Sequence, residues 1–516
     1  MTNNLTPSGE EVLEQLGINP NNLRADFPTR EQRLQYRAVV QWLTDYKPKS
    51  DADNLEKVRG YLEAFQHLGN VEDWEKAREI LFIRLNTPTN KSLPDQLFTW
   101  GYYSELTEYL TRLIGKLNQS CDVICWNGLG VASYSLGEYS QAIECYHKNL
   151  IITRDIGDGN GEGTALSNLG ITYKSLGDYS QAIYYSQQSL IIFQKIGVLN
   201  GEASALSNLG SAYRSLGQYA QAIDYYQLSL TIFQKIGDRN GEGSALSNLG
   251  NAYHALGNYS LAIDYFQHGL TIFREFGDRK GEGNTLSNLG NAYHVLGKYL
   301  LAIDCYQQGL TIARKISDRS GEANALGSLG LAYNSLVDYF IAINYSQQSL
   351  TICQEIGDRK GEETALGNIG NSYCSLGDYS QGINYYQQSL TIAHEIGDME
   401  GKGTVLGFLG VAYNSLRNYP QAINSYQQSL MIAREIGDRN GEGRTLINLG
   451  VFYYSLSDYN QAINYYQQGL TILREIGQDW AQELALLNLC KAFSALGDYN
   501  KAIEYNQQHL ALIQPT

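Results

Sequence analysis

The chain has few cysteines, almost no proline after residue 94, and no long apolar run. Its seven cysteines form no CxxC pair, so we expect no disulfide framework, and a reducing, cytoplasmic location fits best. No apolar run approaches the length that spans a membrane, and the first residues lack the basic segment and apolar stretch of a secretory signal. We therefore expect no membrane partner.

Positive charge is also scarce. The 38 Lys and Arg residues are outnumbered by 53 Asp and Glu residues, which gives a net charge of -15 and a pI near 5.0. A nucleic-acid partner is not expected, because a phosphate-binding surface needs clustered basic residues. Proline is absent between Pro94 and Pro420, which suits long helices because proline breaks helix interiors.

Repetition is what the sequence has in abundance. The segment Leu166-Ser-Asn-Leu-Gly-Ile-Thr-Tyr173 returns with few changes 40 residues later, from Leu206 to Tyr213, and again in the units that follow. Nine full units begin at residues 121, 161, 201, 241, 281, 321, 361, 401 and 441, and a truncated tenth begins at 481. A period of this length is typical of solenoids, propellers and arrays. We therefore expect function to lie on a repeated surface, and to be binding rather than chemistry.

Each unit predicts two antiparallel helices. The first carries an apolar stripe with helical spacing at Leu166, Leu169, Tyr173 and Leu176. Gly177 then marks a turn, a second helix begins at Tyr179, and Gly197 marks its end. Gly170, inside the first helix, costs about 1 kcal/mol relative to alanine. Its recurrence predicts a neighbouring helix that approaches too closely for a Cβ atom.

This pattern resembles the tetratricopeptide repeat over about three quarters of the chain. The resemblance is carried by Leu166, Leu169, Gly170, Tyr173, Ala182 and Tyr226. The 40-residue form, with Ile-Gly-Asp-Arg-x-Gly-Glu-Gly between units, is similar to the extended repeats of LGN/Pins signalling modulators, kinesin light chains and long bacterial arrays. The resemblance implies an all-α, right-handed α-solenoid that binds proteins. The short G-protein-binding motif of the signalling modulators is not found.

The N-terminal region departs from the regular repeat. Residues 56–120 indicate two degenerate helix pairs, as expected at the end of a stack. Residues 1–55 contain short helical patterns over 10–16 and 30–46, and they form either an N-terminal helical cap or a small separate module. The predicted domains are thus 1–55, 56–120 and 121–516.

The first helices are expected to line the concave groove, where equivalent positions form columns of side chains. One column contains Asn168, Asn208, Asn248, Asn288, Asn368 and Asn448. A side-chain amide both donates and accepts, so it can pair with an extended peptide backbone. The resemblance implies this role, because peptide-binding relatives use an asparagine there. Alternatively, these asparagines cap or bridge neighbouring helices.

Two further columns are candidates for binding. The first contains Lys174, Arg214, His254 and His294, which suit an acidic partner or form a merely solvated groove. The second includes Asn251 and Asn291. Further along, the groove turns apolar at Phe408, Val411, Ile447, Val451, Tyr454 and Leu487, which is typical of a binding or self-association site. The ligand is therefore expected to be amide-rich or acidic at one end and apolar at the other.

The leading hypothesis is a scaffold that binds an extended segment of a partner protein in its concave groove. A self-assembling structural scaffold and a regulatory sensor subunit acting with a separate effector chain stay open. No catalytic residue, metal or cofactor is expected: the calcium-like stretch from Asp158 has Leu169 at its twelfth position, where a bidentate Glu is required. Asp238, Arg239 and Glu242 predict surface ion pairs between units.

Overall fold

The computed structural model describes residues 5–49, 51–87, 90–477 and 479–513, with only the backbone for Asp479 and Trp480. Over these ranges it contains 27 α-helices, and its one β-type pairing is an isolated bridge between Arg84 and Ser92. The prediction of an all-α solenoid of stacked helix pairs is confirmed. No helix in the described ranges is both long enough and apolar enough to cross a membrane.

Seven helices precede the regular array: α1 (Gly9–Gln15), α2 (Leu23–Asp26), α3 (Arg30–Thr44), α4 (Asn54–Asn70), α5 (Trp74–Leu81), α6 (Leu93–Trp100) and α7 (Tyr103–Leu113). The helices predicted over 10–16 and 30–46 correspond to α1 and α3, whereas the short α2 was not predicted. Capping boxes at Ser8 and Thr29 start α1 and α3, since each side chain accepts a hydrogen bond from the third backbone N–H of its helix.

The repeat units then alternate a first and a second helix. The first helices are α8 (Gln119–Ser135), α10 (Gly159–Ser175), α12 (Leu199–Ser215), α14 (Arg239–Ala255), α16 (Arg279–Val295), α18 (Arg319–Ser335), α20 (Arg359–Ser375), α22 (Met399–Ser415), α24 (Arg439–Ser455) and α26 (Asp479–Leu496). The second helices are α9 (Tyr139–Asp155), α11 (Tyr179–Ile196), α13 (Tyr219–Ile236), α15 (Tyr259–Phe276), α17 (Tyr299–Lys315), α19 (Tyr339–Ile356), α21 (Tyr379–Glu395), α23 (Tyr419–Glu435), α25 (Tyr459–Glu475) and α27 (Tyr499–Ile513).

Contacts divide the chain into two compact units, the first made of Met1–Leu169 with Ser317–Arg319 and the second of Gly170–Ile316 with Ser320–Thr516. In the first unit, one continuous core joins α1 and α3 to the helices that follow, with Val39, Phe65 and Leu97 fully buried. Tyr61 also donates a hydrogen bond to the carbonyl of Pro7 at 2.8 Å. The predicted domain boundaries at 55 and 120 follow the repeat pattern and stay a prediction.

In the second unit, the recurring glycine of the first helix packs against the second helix of the same unit. A Cβ atom at Gly210 would lie 2.7 Å from Cε1 of Tyr226, and one at Gly250 would lie 2.6 Å from Cε1 of Phe266. These distances are too short for carbon atoms that do not bond. The predicted close approach is confirmed. Most of these glycines accommodate a buried aromatic ring, whereas Gly170 and Gly330 face serine side chains.

Tyrosine pairs reinforce the same packing. Tyr213 stacks on Tyr225 with ring centroids 5.3 Å apart, and Tyr253 stacks on Tyr265 at the same distance. Stacked aromatic rings add to the stability that their buried area provides. The abundance of tyrosine is thus partly explained by a pair that recurs between the two helices of most units.

Two sequence predictions were wrong in detail. Leu176 was assigned to the core stripe, but it is 43% exposed, and its equivalents such as Leu216 are exposed as well. The reason is that each of these leucines follows the last residue of a first helix, where the helical stripe no longer applies. Asp238 was assigned to an ion pair, but its Oδ1 accepts a hydrogen bond from the N–H of Gly241 at 2.9 Å and caps α14. Arg239 does pair with Glu242, but the two residues are three apart in α14 and do not join neighbouring helix pairs.

Candidate binding groove

The first helices line the inner side of the stack in the second unit. First helices of neighbouring units contact one another directly, as α12 does with α14, and α22 with α24. Second helices show no comparable approach to one another in the described part of this unit. Because neighbouring helices lie closer on the inside of a curved stack, the first helices lie on its concave side, and the groove role of the predicted columns stays a prediction.

The asparagine column divides into two groups. Every member is half-buried. Asn168 donates to Oδ1 of Asn127 at 2.9 Å, and Asn368 donates to the carbonyl of Gly327 at 3.5 Å, so these two amides bridge neighbouring first helices. The other four make no hydrogen bond to any residue that the structure describes: Asn208, Asn248, Asn288 and Asn448. Their amides are available to a ligand, whose binding stays a prediction.

The column that begins at Lys174 is less basic than its composition suggests. Nζ of Lys174 donates to Oγ of Ser211 at 3.0 Å, and burial together with the charge of Arg214 lowers the pKa of Lys174. Burial also lowers the pKa of His254 and His294, which favours the neutral form of both imidazoles. Positive charge in this column is therefore concentrated at Lys174 and Arg214.

Arg214 faces carboxylates from a distant part of the same unit. Partial burial, Asp438 and Asp398 raise the pKa of Glu400, and the charges of Lys360 and Arg214 oppose that rise. The start of α22 is therefore close enough to the end of α12 for the charges of Glu400 and Arg214 to interact. An acidic ligand at Arg214 would compete with the chain's own carboxylates.

The third column is partly engaged within its own helix pairs. Oδ1 of Asn291 accepts from the hydroxyl of Tyr306 at 2.7 Å, and Oδ1 of Asn371 accepts from Tyr386 at 2.6 Å. Asn251 is half-buried and makes no hydrogen bond to a described residue. The Nδ2 groups of Asn291 and Asn371 are hydrogen-bond donors that the tyrosines do not use.

The apolar stretch predicted for the groove is split by the structure. Phe408, Val411 and Ile447 line one pocket of about 540 Å³, together with residues of α18, α20 and α26. Val451 and Tyr454 do not line this pocket, and Tyr454 instead packs against Tyr459 with ring centroids 5.4 Å apart. Arg444 also lines the pocket, and sequence reasoning missed it. The equivalent position is Ser, Thr or Asn in the seven preceding units, from Thr164 to Thr404. The change from a small polar residue to arginine is therefore visible in the sequence.

A second apolar surface lies on the second helices. Leu300 and Phe340 are 74% and 76% exposed, and Leu301 lies beside them. Three other units have Ser and Gln at the corresponding pair of positions, as at Ser180 and Gln181, and no other unit has a large apolar residue at both. This patch is therefore a property of two adjacent units, and not of the repeat.

Comparison with protein families decides what the repeated helix pairs are. The tetratricopeptide repeat model matches residues 122–195, 201–275, 281–355, 323–395, 361–435, 402–475 and 442–514, which is well over half of the chain. The chain belongs to the tetratricopeptide repeat family. This membership supports a role in protein–protein interaction. A search of curated proteins gave no match.

Solved structures with tetratricopeptide-like folds resemble the chain at low identity. A Rap protein complexed with Competence and Sporulation Factor is 15% identical, with 76% of this chain and 99% of that chain covered and a TM-score of 0.47. The apo form of the quorum sensor NprR from B. thuringiensis is 14% identical, with 70% and 100% covered and a TM-score of 0.48. BtubC from P. vanneervenii is 20% identical, with 42% and 92% covered and a TM-score of 0.37. At these identities the likeness concerns the fold alone.

Within each tetratricopeptide unit, some side chains pack the two helices together and others lie at groove positions. Glycines such as Gly210 and their aromatic partners such as Tyr226 hold the helix pair together. Groove positions such as Asn248 and Arg444 are not needed for this packing and vary between units. No cluster of three or more metal-ligating side chains was found among the described residues.

Proposed function

We propose that the protein binds an extended segment of a partner protein along the concave face of its first helices. The observation that carries the proposal is the set of asparagine amides that repeat every 40 residues, half-buried and without a hydrogen-bond partner among the described residues: Asn208, Asn248, Asn288 and Asn448. A half-buried amide without a partner is available to the N–H and C=O groups of an extended backbone. Affinity would then come from backbone contacts.

Specificity would come from the residues that vary between units. Lys174 and Arg214 favour an acidic stretch of the ligand, whereas Phe408 and Val411 favour an apolar stretch. Arg214 interacts with Glu400 in the absence of a ligand, so an acidic stretch that binds Arg214 replaces this interaction. Its net contribution to the binding free energy is only the difference between the two interactions. We therefore expect salt to weaken binding modestly, since exposed charge pairs are screened and each contributes little.

The test is a synthetic peptide array probed with the full chain. The wild type is compared with the double variant Asn248→Ala and Asn288→Ala, which removes two adjacent amides. Alanine favours helices more than asparagine does, so the double variant should fold normally. A loss of two net hydrogen bonds weakens binding by roughly tenfold or more.

A matched control removes two asparagines with the same spacing from the second helices. Asn424 and Asn464 are exposed and make no hydrogen bond to a described residue, so Asn424→Ala with Asn464→Ala should leave binding unchanged. Equal affinity of the wild type and the Asn248/Asn288 double variant would refute the role of the asparagine column. A wild type that captures no peptide would refute the function itself.

A further inference from the structure

The groove contains one pocket whose shape and chemistry differ from the rest of the concave face. It has a volume of about 540 Å³, and its apolar wall includes Phe408, Val411, Ile447 and Leu484. Ile447 is only 4% exposed, whereas Val411 and Leu484 are 43% and 45% exposed, so the wall is open to an incoming group. This volume lies in the range of sites that hold small ligands or single large side chains.

The pocket exists because several groove positions change in consecutive units. Phe408 occupies a position that is asparagine or serine in every earlier unit from 161 onward. Ile447 occupies a position that is serine or glycine in the seven units before it. At these two positions the exchange of small or polar groups for large apolar ones is confined to the end of the array, whereas the position of Val411 is also apolar at Ile171 and Leu331. The chain's own earlier units thus show that the fold does not require an apolar wall here.

The charge of the pocket is positive, although the chain as a whole carries -15. Arg444 is the one charged side chain among the described residues that line it, and no carboxylate lines it. Arg444 is exposed and forms no ion pair with any residue that the structure describes. Arginine pairs well with carboxylates because its planar guanidinium can donate two parallel hydrogen bonds.

Amide groups complete the lining. Oδ1 of Asn334 is buried and has no hydrogen-bond partner among the described residues, so it lacks a donor. Oδ1 of Asn371 accepts from Tyr386, which leaves its Nδ2 as a donor. Asn448 makes no hydrogen bond within the described ranges. A buried acceptor without a donor is unfavourable, and the backbone N–H of a bound segment would satisfy it.

We infer that this pocket binds an apolar side chain of the partner segment and that Arg444 holds a carboxylate next to that side chain. The inference rests on the proposed function and specifies the chemistry of one part of the ligand. The carboxylate can belong to an acidic side chain or to the C-terminus of the segment. Asn334, Asn371 and Asn448 would hold the backbone between the two anchors.

The test uses hexapeptide libraries made in two forms, with a free C-terminal acid and with a C-terminal amide, and the full-length protein. Val411→Trp fills the pocket from an exposed position. Its matched control is Val451→Trp, at the equivalent position of the next unit, because Val451 is 41% exposed and does not line the pocket. Arg444→Gln removes the cation, and Lys491→Gln removes an exposed cation from the same face outside the pocket.

We expect wild type to select peptides with Leu, Ile or Phe within two residues of a carboxylate. Val411→Trp should weaken their binding at least tenfold, and Arg444→Gln should remove the preference for the carboxylate but keep the preference for the apolar residue. Binding of free acids but not of amides would assign the carboxylate to the C-terminus. Selection of internal Asp or Glu in both libraries would assign it to a side chain.

The inference is overturned if Val411→Trp and Val451→Trp bind alike and Arg444→Gln keeps the wild-type preference. If peptides still bind under those conditions and the Asn248/Asn288 double variant weakens them, the proposed function survives without this pocket. If the wild type binds no hexapeptide, both fail. Far-UV circular dichroism and the thermal midpoint of each variant must match the wild type for these comparisons to count.

Discussion

Glu363 is the residue whose replacement tests the electrostatic reasoning most directly. Its side chain is 4% exposed in α20, at a position that is glycine or alanine in the other units from Gly163 to Gly443. Its carboxylate lies 3.2 Å from Nζ of Lys360, which also pairs with Asp398. Burial is the main cause that raises the pKa of Glu363 to about 7, and Lys360 opposes the rise.

The sign of the resulting pH dependence follows from proton binding. Below pH 4.5, the ordinary value, Glu363 is protonated in both the folded and the unfolded chain and does not affect stability. Between pH 4.5 and about 7 the unfolded chain releases this proton but the folded chain keeps it, so stability falls as pH rises. Above pH 7 the full destabilisation is present. Its size is about 3 kcal/mol, because one pKa unit corresponds to about 1.4 kcal/mol.

Glu363→Gln should remove this destabilisation, since glutamine does not ionise. We expect the unfolding free energy of the variant, relative to wild type, to rise by up to about 3 kcal/mol between pH 5 and pH 8. Repeat arrays need not unfold in one step, so the measurement is hydrogen exchange of α20 to α22 together with thermal unfolding. Comparing the variant with the wild type at each pH cancels the pH dependence of intrinsic exchange.

The control is Glu435→Gln, which removes the same charge from an exposed position of α23. This variant should follow the wild-type profile at every pH. If the profiles of Glu363→Gln and the wild type stay parallel from pH 5 to pH 8, then Glu363 does not titrate as a buried group. The account of the Lys360–Glu363–Asp398 contact would then be wrong.

Two further predictions concern packing and surfaces. Gly210→Ala should destabilise the protein by about 1–3 kcal/mol in urea denaturation, because the new Cβ atom would overlap the ring of Tyr226. Gly367→Ala should instead stabilise the protein by up to about 1 kcal/mol, because its Cβ atom would have no neighbouring atom within 4 Å. Equal shifts for the two variants would contradict the packing explanation. The exposed patch at Leu300 and Phe340 predicts weak self-association that Phe340→Ser reduces, as measured by light scattering against concentration. A wild type that stays monomeric at all concentrations would contradict it.

The repeat made the fold predictable from sequence. Leu166, Leu169 and Gly170 recur at a constant spacing of 40 residues. An apolar stripe with helical spacing that ends at a glycine turn is compatible with few structures other than a helix. The structure therefore confirms the helix pairs and the close approach at Gly170, whose Cβ would meet the carbonyl oxygen of Ala182 at 3.2 Å. The stripe failed at Leu176, because spacing alone does not show at which residue a helix ends.

The groove was less predictable, because it depends on which atoms already have partners. Asn168 and Asn248 are equivalent in sequence, yet only Asn168 finds an asparagine in the preceding unit, at Asn127. His254 and His294 add little positive charge because they are half-buried, and burial depends on neighbours that periodicity does not reveal. Spacing therefore identified the face of the helix. Packing determines which side chains on that face already have hydrogen-bond partners and which are charged.

Identical units can form only identical sites, so a specific partner must be recognised where the units differ. Three such differences lie between α20 and α26: Glu363 replaces glycine or alanine, Phe408 replaces asparagine or serine, and Arg444 replaces a small polar residue. Other units stack without these three side chains, although in this unit Phe408 stacks on Tyr386 of the preceding unit with ring centroids 5.7 Å apart. Their presence in a strongly repetitive sequence is a physical reason to look for partner specificity in this part of the chain.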